Sequence, residues 1–283
     1  MMRQGPGEPR ARIGRRAATI LAALALVATA LPAQDVTQVK SKIVTTTTRT
    51  VPVTTGVIDS KAVNALRTMG AYLRTLKSFG VEVKGAKDDV MSDGQKILIS
   101  GTVNYLVRTP DRMRAEINTD RKQRTIYYDG KTMTLYAPRM HYYAKVNAPP
   151  TVMQMLDTVR AKYGVELPIA DLFLWGTPRD GVSDLTQARY IGPSTVDGIQ
   201  TDQYAFRQEG TDWQIWIEQG SRPLPRRLVI TSVDKPEAPQ YLATMMWNLT
   251  ANTDDANFVF TPPNDAKQIP WNQTTVASAR KAP

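Results

Sequence analysis

The sequence predicts an α+β fold in which one continuous, strongly curved antiparallel sheet carries helices on one face. Three observations lead to this interpretation. Two runs of short, alternating apolar and polar segments separated by turns predict two series of neighbouring antiparallel strands. A helical pattern precedes the first run, and two helical pieces separate it from the second. No obvious linker divides the runs, so one domain is expected; a β-sandwich with inserted helices is the alternative.

The first element is an amphipathic helix. Asp59 or Ser60 can cap its N-terminus. The helix is expected to run to about Phe79, where Gly80 stops it. The apolar side chains that recur at helical spacing are Val63, Leu66, Met69 or Gly70, Leu73 and Leu76. Basic side chains follow the opposite face, so packing on a sheet is expected rather than membrane binding.

The segment from Val81 to Asn147 alternates with a period of two residues and predicts a series of strands. Its members are Gly101–Thr109, Arg112–Ile117, Arg124–Tyr128, Lys131–Ala137 and Met140–Val146. The dipeptide Asp129-Gly130 between two of them is a strong hairpin signal. Two proline residues, Pro149 and Pro150, end the series.

Two helical pieces follow. Thr151 to Tyr163 has apolar residues on one face, and Gly164 ends it. Leu167 to Gly176 is unusually apolar, yet it is too short to span a membrane and too irregular for a strand. Strands then resume after Asp184. They are Ala188–Thr195, Gln200–Gln208, Asp212–Gln219, Arg226–Ser232 and Gln240–Thr250.

The N-terminus predicts a cleaved secretory signal peptide and export to the periplasm. Residues 1–33 combine five arginines, an uncharged apolar run from Ala17 to Leu31 and small residues beside it. An uncleaved anchor is the alternative, but the run is shorter than the roughly 20 residues of a spanning helix. Residues 34–56 are interpreted as a Thr-rich arm, residues 57–270 as the folded domain and residues 271–283 as a flexible basic tail.

Composition excludes several classes of protein. The chain has no cysteine, which rules out disulfides, thiolate metal sites and a cysteine nucleophile. The formal net charge of +10 falls to +6 once residues 1–33 are removed, because 31 basic and 25 acidic side chains then remain. No dense run of lysine and arginine alternates with aromatic residues, so nucleic acid is not an expected partner.

Catalytic patterns are missing from the sequence. His141 is the single histidine, and it is expected in a strand without a neighbouring acid motif, where it has a structural or surface role. The adjacent pairs Asp88-Asp89 and Asp254-Asp255 make poor carboxylate pairs, because neighbours on a strand point to opposite faces. No catalytic residue, cofactor or metal is therefore expected, and the protein is not expected to be an enzyme.

Three segments resemble parts of the periplasmic lipoprotein carriers of the LolA type. Phe258 to Ala266 is similar to their closing segment, and Tyr128 to Tyr136 resembles their central hairpin. Pro225 to Ile230 resembles a strand that begins with proline and a basic pair. The order of these segments, over roughly residues 60–270, indicates an uncharacterised family of predicted periplasmic proteins in the superfamily of LolA, LolB, LppX and RseB.

The resemblance implies an open half-barrel of antiparallel strands, with helices on its concave face and an apolar cavity between them. The expected ligand is a lipid, an acyl chain or a lipoprotein, held by a non-catalytic carrier. The expected cavity lining is Val103, Tyr105, Val107, Met113, Ile117, Met133, Leu135, Trp213, Ile215, Met245 and Trp247. Leu172, Phe173 and Trp175 are expected to form a lid. The alternative is an RseB-like sensor or adaptor that binds a periplasmic or membrane protein.

Overall fold

The computed structural model describes residues 56–165 and 167–271. The helices are α1 (Ser60–Thr75) and α2 (Val152–Tyr163). The strands are β1 (Ser78–Val90), β2 (Lys96–Arg108), β3 (Arg112–Thr119), β4 (Gln123–Tyr128), β5 (Thr132–Ala137), β6 (Tyr142–Asn147), β7 (Gln187–Val196), β8 (Ile199–Gln208), β9 (Thr211–Glu218), β10 (Pro225–Ser232), β11 (Gln240–Asn248) and β12 (Lys267–Gln268). Short 3-10 helices lie at Pro138–Met140, Ala170–Phe173, Val182–Asp184 and Asp255–Asn257. Every helix within the described ranges is too short or too polar to cross a membrane.

All twelve strands belong to one sheet. Its order is β12-β6-β5-β4-β3-β2-β1-β11-β10-β9-β8-β7. Two antiparallel meanders, β1 to β6 and β7 to β11, join where β1 pairs antiparallel with β11. The two outermost strands, β12 and β7, lie at opposite edges, so the sheet is an open half-barrel and does not close. The predicted α+β fold with one continuous antiparallel sheet is confirmed, and the sandwich alternative is wrong.

Strand alternation gives the sheet two different faces. On one face, which we call the inner face, Val81 lies opposite Tyr105 and Trp247, and Val83 lies opposite Val103 and Met245. Both helices pack their apolar sides into the same hydrophobic core as these residues. The strands thus present mainly apolar side chains to the helices and a more polar set to the opposite, outer face, as the period of two predicts.

Helix α1 begins as predicted but ends early. Asp59 is the N-cap residue, and its side chain accepts a hydrogen bond from the Lys61 amide at 2.8 Å. The helix ends at Thr75, so the expected extension to Phe79 is wrong. Phe79 belongs to β1, where it pairs with Val107 and its ring centroid lies 5.3 Å from that of Trp247. Strand pairing and this buried ring contact outweigh the helical periodicity at this point.

Most of the other predicted elements are confirmed. Helix α2 has Thr151 as its N-cap and Gly164 as its C-cap, and Asp129-Gly130 lies in the turn between β4 and β5. The strand expected from Met140 begins instead at Tyr142, because Pro138–Met140 form a 3-10 turn. His141 then adopts a left-handed conformation with φ of 56°.

The chain after β11 crosses the outer face. Phe258 is buried there, and the guanidinium of Arg108 lies 5.6 Å from its ring centroid. Phe260 packs among three tyrosine rings at centroid distances of 5.1 to 5.3 Å; these are Tyr127, Tyr136 and Tyr143. β12 then pairs in parallel with β6. The predicted signal peptide, the arm up to residue 55 and the tail from residue 272 lie outside the described residues.

Helix α1 touches the apolar segment 167–176 through backbone atoms. A Cβ atom on Gly70 would lie 2.5 Å from the Gly176 amide nitrogen, and one on Gly176 would lie 2.4 Å from the Gly70 carbonyl. Neither distance is possible for a real side chain without movement of the backbone. These two glycines therefore set how closely the segment sits on the helix.

Gly70→Ala tests this contact. Alanine in a helix interior is normally more stable than glycine by about 1 kcal/mol. Here the added methyl group overpacks a backbone contact, so we expect the free energy of unfolding in urea to fall by about 1–3 kcal/mol. Asn64→Ala, at an exposed position of α1, is the control and should change it by less than about 0.5 kcal/mol. If the Gly70→Ala protein is more stable than the original, the backbone of α1 and that of Gly176 do not lie as close together as described.

Candidate functional site

The predicted cavity-lining residues all lie on the inner face. Eight of them are buried in the hydrophobic core: Val103, Tyr105, Val107, Met113, Met133, Trp213, Ile215 and Met245. Three are partly buried against it: Ile117, Leu135 and Trp247. Cross-strand pairing sets several of them side by side, since Val103 lies opposite Ile117 and Val107 lies opposite Met113. Whether they contact a ligand stays a prediction.

Residues 167–176, which we call the cover segment, close part of this face. Leu172, Phe173 and Trp175, the residues expected to form a lid, are all buried. The ring of Phe173 meets that of Tyr105 edge-on, with a centroid distance of 6.3 Å. The apolar character of the segment thus has a direct cause, because its side chains complete the core over the sheet.

Two side chains fasten the backbone of the cover segment. The buried hydroxyl of Tyr105 donates a hydrogen bond to the Pro168 carbonyl. Burial raises the pKa of Tyr105, and the neighbouring Tyr241 raises it further, so the phenol keeps its donor proton. From α1, the guanidinium of Arg74 donates to the carbonyls of Leu172 and Phe173 at 3.0 and 3.1 Å. These three hydrogen bonds join the cover segment to β2 and to α1.

A small cavity remains between the sheet and the cover segment. It has a volume of about 40 Å³ and is lined by Val83, Val103, Ile117 and Ile99 from three strands, by Tyr241 and by Pro168 of the cover segment. Typical ligand pockets measure roughly 300–1,000 Å³. This cavity is smaller than that range, so a long ligand does not fit into it in the present arrangement of the cover segment.

A wider groove lies on the outer face. It has a volume of about 480 Å³, and its lining includes Glu82, Asn104, Arg114, Glu116 and Met246. Arg114 pairs with Glu116, yet its Nε atom is buried without a hydrogen-bond partner among the described residues. This groove is mixed in polarity and charged, which suits a polar partner better than an acyl chain.

The structure places the single histidine, His141, beside an acidic side chain. His141 was expected in a strand without a neighbouring acid motif, and the strand is wrong, because His141 ends the 3-10 helix Pro138–Met140 just before β6. Its Nδ1 atom lies 2.6 Å from the Asp265 carboxylate. The two residues are distant in sequence, and β12 brings them together. Both side chains are more than half exposed. Within the described ranges, no three histidine or acidic side chains are grouped so that they could hold a metal ion.

Sequence reasoning missed the role of Arg74. It assigned this residue to the solvent-facing side of α1, whereas the structure places its guanidinium on a segment that lies 98 residues further along the chain. No local sequence pattern predicts this contact between Arg74 and the cover segment. A basic side chain near the C-terminal end of a helix has an ordinary explanation in the helix dipole.

Comparison with protein families assigns residues 62–272 to the family described as "Predicted periplasmic protein (DUF2092)". The chain belongs to this family. The resemblance inferred from the sequence is thereby confirmed. A search of the curated proteins found no match.

Among solved structures, the chain is similar in fold to the Mycobacterium tuberculosis lipoprotein LppX, with 16% identity and a TM-score of 0.44 over 69% of this chain and 100% of that one. It is also similar to LprF from Mycobacterium bovis, with 13% identity and a TM-score of 0.40 over 75% and 100% of the two chains. A third is the LolA superfamily protein NE2245 from Nitrosomonas europaea, with 12% identity and a TM-score of 0.31 over 70% and 97%.

Arg74→Ala tests the attachment of the cover segment in this DUF2092 protein. Loss of two hydrogen bonds to a charged, partly exposed donor should weaken closure by about 1 kcal/mol. Chymotrypsin should then cleave the folded protein at Phe173 or Trp175 about five times faster, because cleavage follows the population of the open form. Arg67→Ala, at an exposed site on the same helix, should leave the rate unchanged. Equal rates for both variants would show that Arg74 does not hold the segment.

Proposed function

We propose that this protein is a non-catalytic periplasmic binding protein that holds a lipid, or an acyl chain of a lipoprotein, between its inner face and its cover segment. One observation carries the proposal. The apolar inner face is closed by a separate segment that packs on it through apolar side chains and accepts side-chain hydrogen bonds from Tyr105 and Arg74. An acyl chain offers the same apolar contact and can replace the segment.

Approximate free energies favour a ligand with a long acyl chain. Displacing the cover segment breaks the three hydrogen bonds from Tyr105 and Arg74, at a net cost of about 1 kcal/mol each. It also exposes buried side chains whose burial contributes about 2 kcal/mol each; these are Leu167, Ile169, Leu172, Phe173 and Trp175. Burial of an acyl chain contributes about 0.8 kcal/mol per methylene. About 16 methylenes therefore balance the displacement, so the proposed ligand is a long-chain lipid rather than a short one.

The periplasmic location is part of the proposal. The family is described as predicted periplasmic, and residues 1–33 have the charge, apolar run and small residues of a secretory signal. A chain without cysteine is compatible with an oxidising compartment, because no thiol can form a wrong disulfide there. On this proposal the cover segment keeps the inner face from water while the binding site is empty.

Lipid binding is tested with purified protein and a filling variant. Mass spectrometry of an organic extract should find co-purified lipid, and the delipidated protein should bind a fluorescent long-chain fatty acid. Ile117→Phe adds apolar bulk to the cavity wall, so we expect about tenfold weaker binding of that probe.

Asn118→Ala, at the exposed neighbouring position of β3, is the control and should bind like the original protein. Thermal unfolding checks that both variants are folded. A protein that carries no lipid and does not bind the probe would overturn the proposal.

The second candidate function is binding of a protein partner, as a sensor or adaptor, and the outer groove favours it. The buried Nε of Arg114 has no partner there, and an unpaired buried donor costs about 1–3 kcal/mol. A partner's acceptor would remove that cost. In a pull-down from periplasm, Arg114→Glu should lose a stoichiometric protein partner that the original chain captures, whereas Ile117→Phe should keep it. Retention by Arg114→Glu would exclude the groove as the binding surface.

A further inference from the structure

One buried hydrogen-bond donor of the inner face has no acceptor. Within the part of the chain that the structure describes, three buried side-chain nitrogen atoms lack a hydrogen-bond partner; they are Nε of Arg114, Nε of Arg227 and Nε1 of Trp213. The two arginines lie on the outer face, where their guanidinium groups stand 5.5 and 5.7 Å from the ring centroids of Tyr127 and Trp216. Trp213 belongs to the inner face and is only 6% exposed. Its indole is therefore an unused donor inside the apolar core.

Other aromatic donors of the inner face have acceptors within the protein itself. Nε1 of Trp247 donates to the Pro225 carbonyl at 2.8 Å. The hydroxyls of Tyr105 and Tyr128 also donate to proline carbonyls. A buried donor without an acceptor costs more free energy than a typical hydrogen bond contributes, so such groups are rare in folded proteins. Trp213 thus differs from three residues of the same face and needs a separate explanation.

Neighbouring side chains hold the ring of Trp213 in place and offer it no acceptor. The ring stacks on that of Phe206, with 4.4 Å between the centroids. Phe206 and Ile230 are also its cross-strand partners, and both are apolar and buried. One row further along the strands, the Gln208 side chain donates to the Gly181 carbonyl at 2.9 Å, so the chain after the cover segment passes over this end of the face. The stacked ring therefore fixes the direction of the indole N–H group.

Trp213 lies in the same cross-strand row as one wall of the small cavity. Tyr241, which lines that cavity, pairs with Ile230 of β10, and Ile230 pairs with Trp213 of β9. Two strand spacings, or about 10 Å, separate β11 from β9. A ligand that occupies the cavity and extends across these strands, in place of the segment above them, reaches the unused donor after it has crossed one apolar residue.

We propose that Trp213 determines the specificity of the site, because its Nε1 donates a hydrogen bond to a neutral carbonyl oxygen next to the acyl chain of the ligand. This assignment rests on the proposed lipid-binding function and adds the group that the ligand must carry. The hydrogen bond forms only after the cover segment is displaced, so it stabilises the ligand-bound form and not the closed form. It therefore offsets part of the free energy that displacement costs.

A neutral acceptor suits this donor better than a charged one. A single N–H group satisfies one acceptor. A carboxylate or phosphate placed beside Phe206 and Ile230 would leave most of its charge without a partner, which is costly in an apolar site. A carbonyl oxygen is also a stronger acceptor than an ether oxygen, so binding experiments can distinguish the two groups.

Two lipids that differ only in the carbonyl group test the assignment. Monooleoylglycerol carries its chain through an ester, and the monooleyl ether of glycerol carries a chain of the same length without the carbonyl. Their dissociation constants are measured by displacement of a fluorescent lipid. The original protein should bind the ester about fivefold more tightly, as expected for one neutral hydrogen bond. Trp213→Phe keeps an aromatic ring and removes the N–H group, so its two dissociation constants should agree within about twofold.

Trp216→Phe is the matched control. Trp216 lies on the same strand and is also buried, but it faces the outer side, so this variant should keep the preference for the ester. Thermal unfolding checks that both variants are folded. NMR of the original protein gives a second measurement that needs no variant: the indole N–H resonance of Trp213 should move downfield with the ester and stay nearly unchanged with the ether.

The contrary results differ in what they overturn. If the original protein binds both lipids equally, Trp213 recognises no carbonyl group, and lipid binding itself still stands. If Trp213→Phe keeps the preference for the ester, or if Trp216→Phe loses it as well, the preference does not come from Nε1 of Trp213. If neither lipid binds, the proposed function fails together with this assignment.

Discussion

A twelve-stranded sheet with one apolar face must keep that face from water, and this constraint shapes the rest of the molecule. The inner face is apolar across nearly all of its rows, and it is covered by α1, α2 and the cover segment. Two of these covers are regular helices with capped ends. The third is a short irregular segment, and the proposed function requires this segment to open.

Topology explains why a covering segment exists. β6 lies next to one edge of the sheet and β7 forms the other edge, so the chain between them must cross the full width of the sheet. It does so over the inner face, where α2 and the cover segment pack into the core. The chain after β11 instead crosses the outer face and returns to β6. The two crossings enclose the sheet from both sides.

Local patterns made much of this fold predictable. Period-two alternation, the Asp129-Gly130 turn and the caps of α2 depend on near neighbours, and the structure has them as predicted. The end of α1 was not predictable, because Phe79 is held by Val107 and Trp247, which lie elsewhere in the chain.

Parts of the candidate site also depend on contacts between residues that are distant in sequence, so they were not predictable. Its lining residues follow from strand alternation, and the structure places them on one face. The attachment of the cover segment by Arg74 depends on tertiary contacts nearly a hundred residues apart. The size of the cavity depends on how well α1, α2 and the cover segment fill the space, which no single element specifies.

Native-state hydrogen exchange of the cover segment tests the central claim, namely that this segment opens while the sheet stays folded. The amides of Leu172, Leu174 and Trp175 donate to carbonyls within the segment, so their exchange reports its opening. The account predicts that they exchange with a free energy several kcal/mol below that of the central strands β1 and β2. Exchange of these amides only with global unfolding, at the same free energy as β1 and β2, would contradict it.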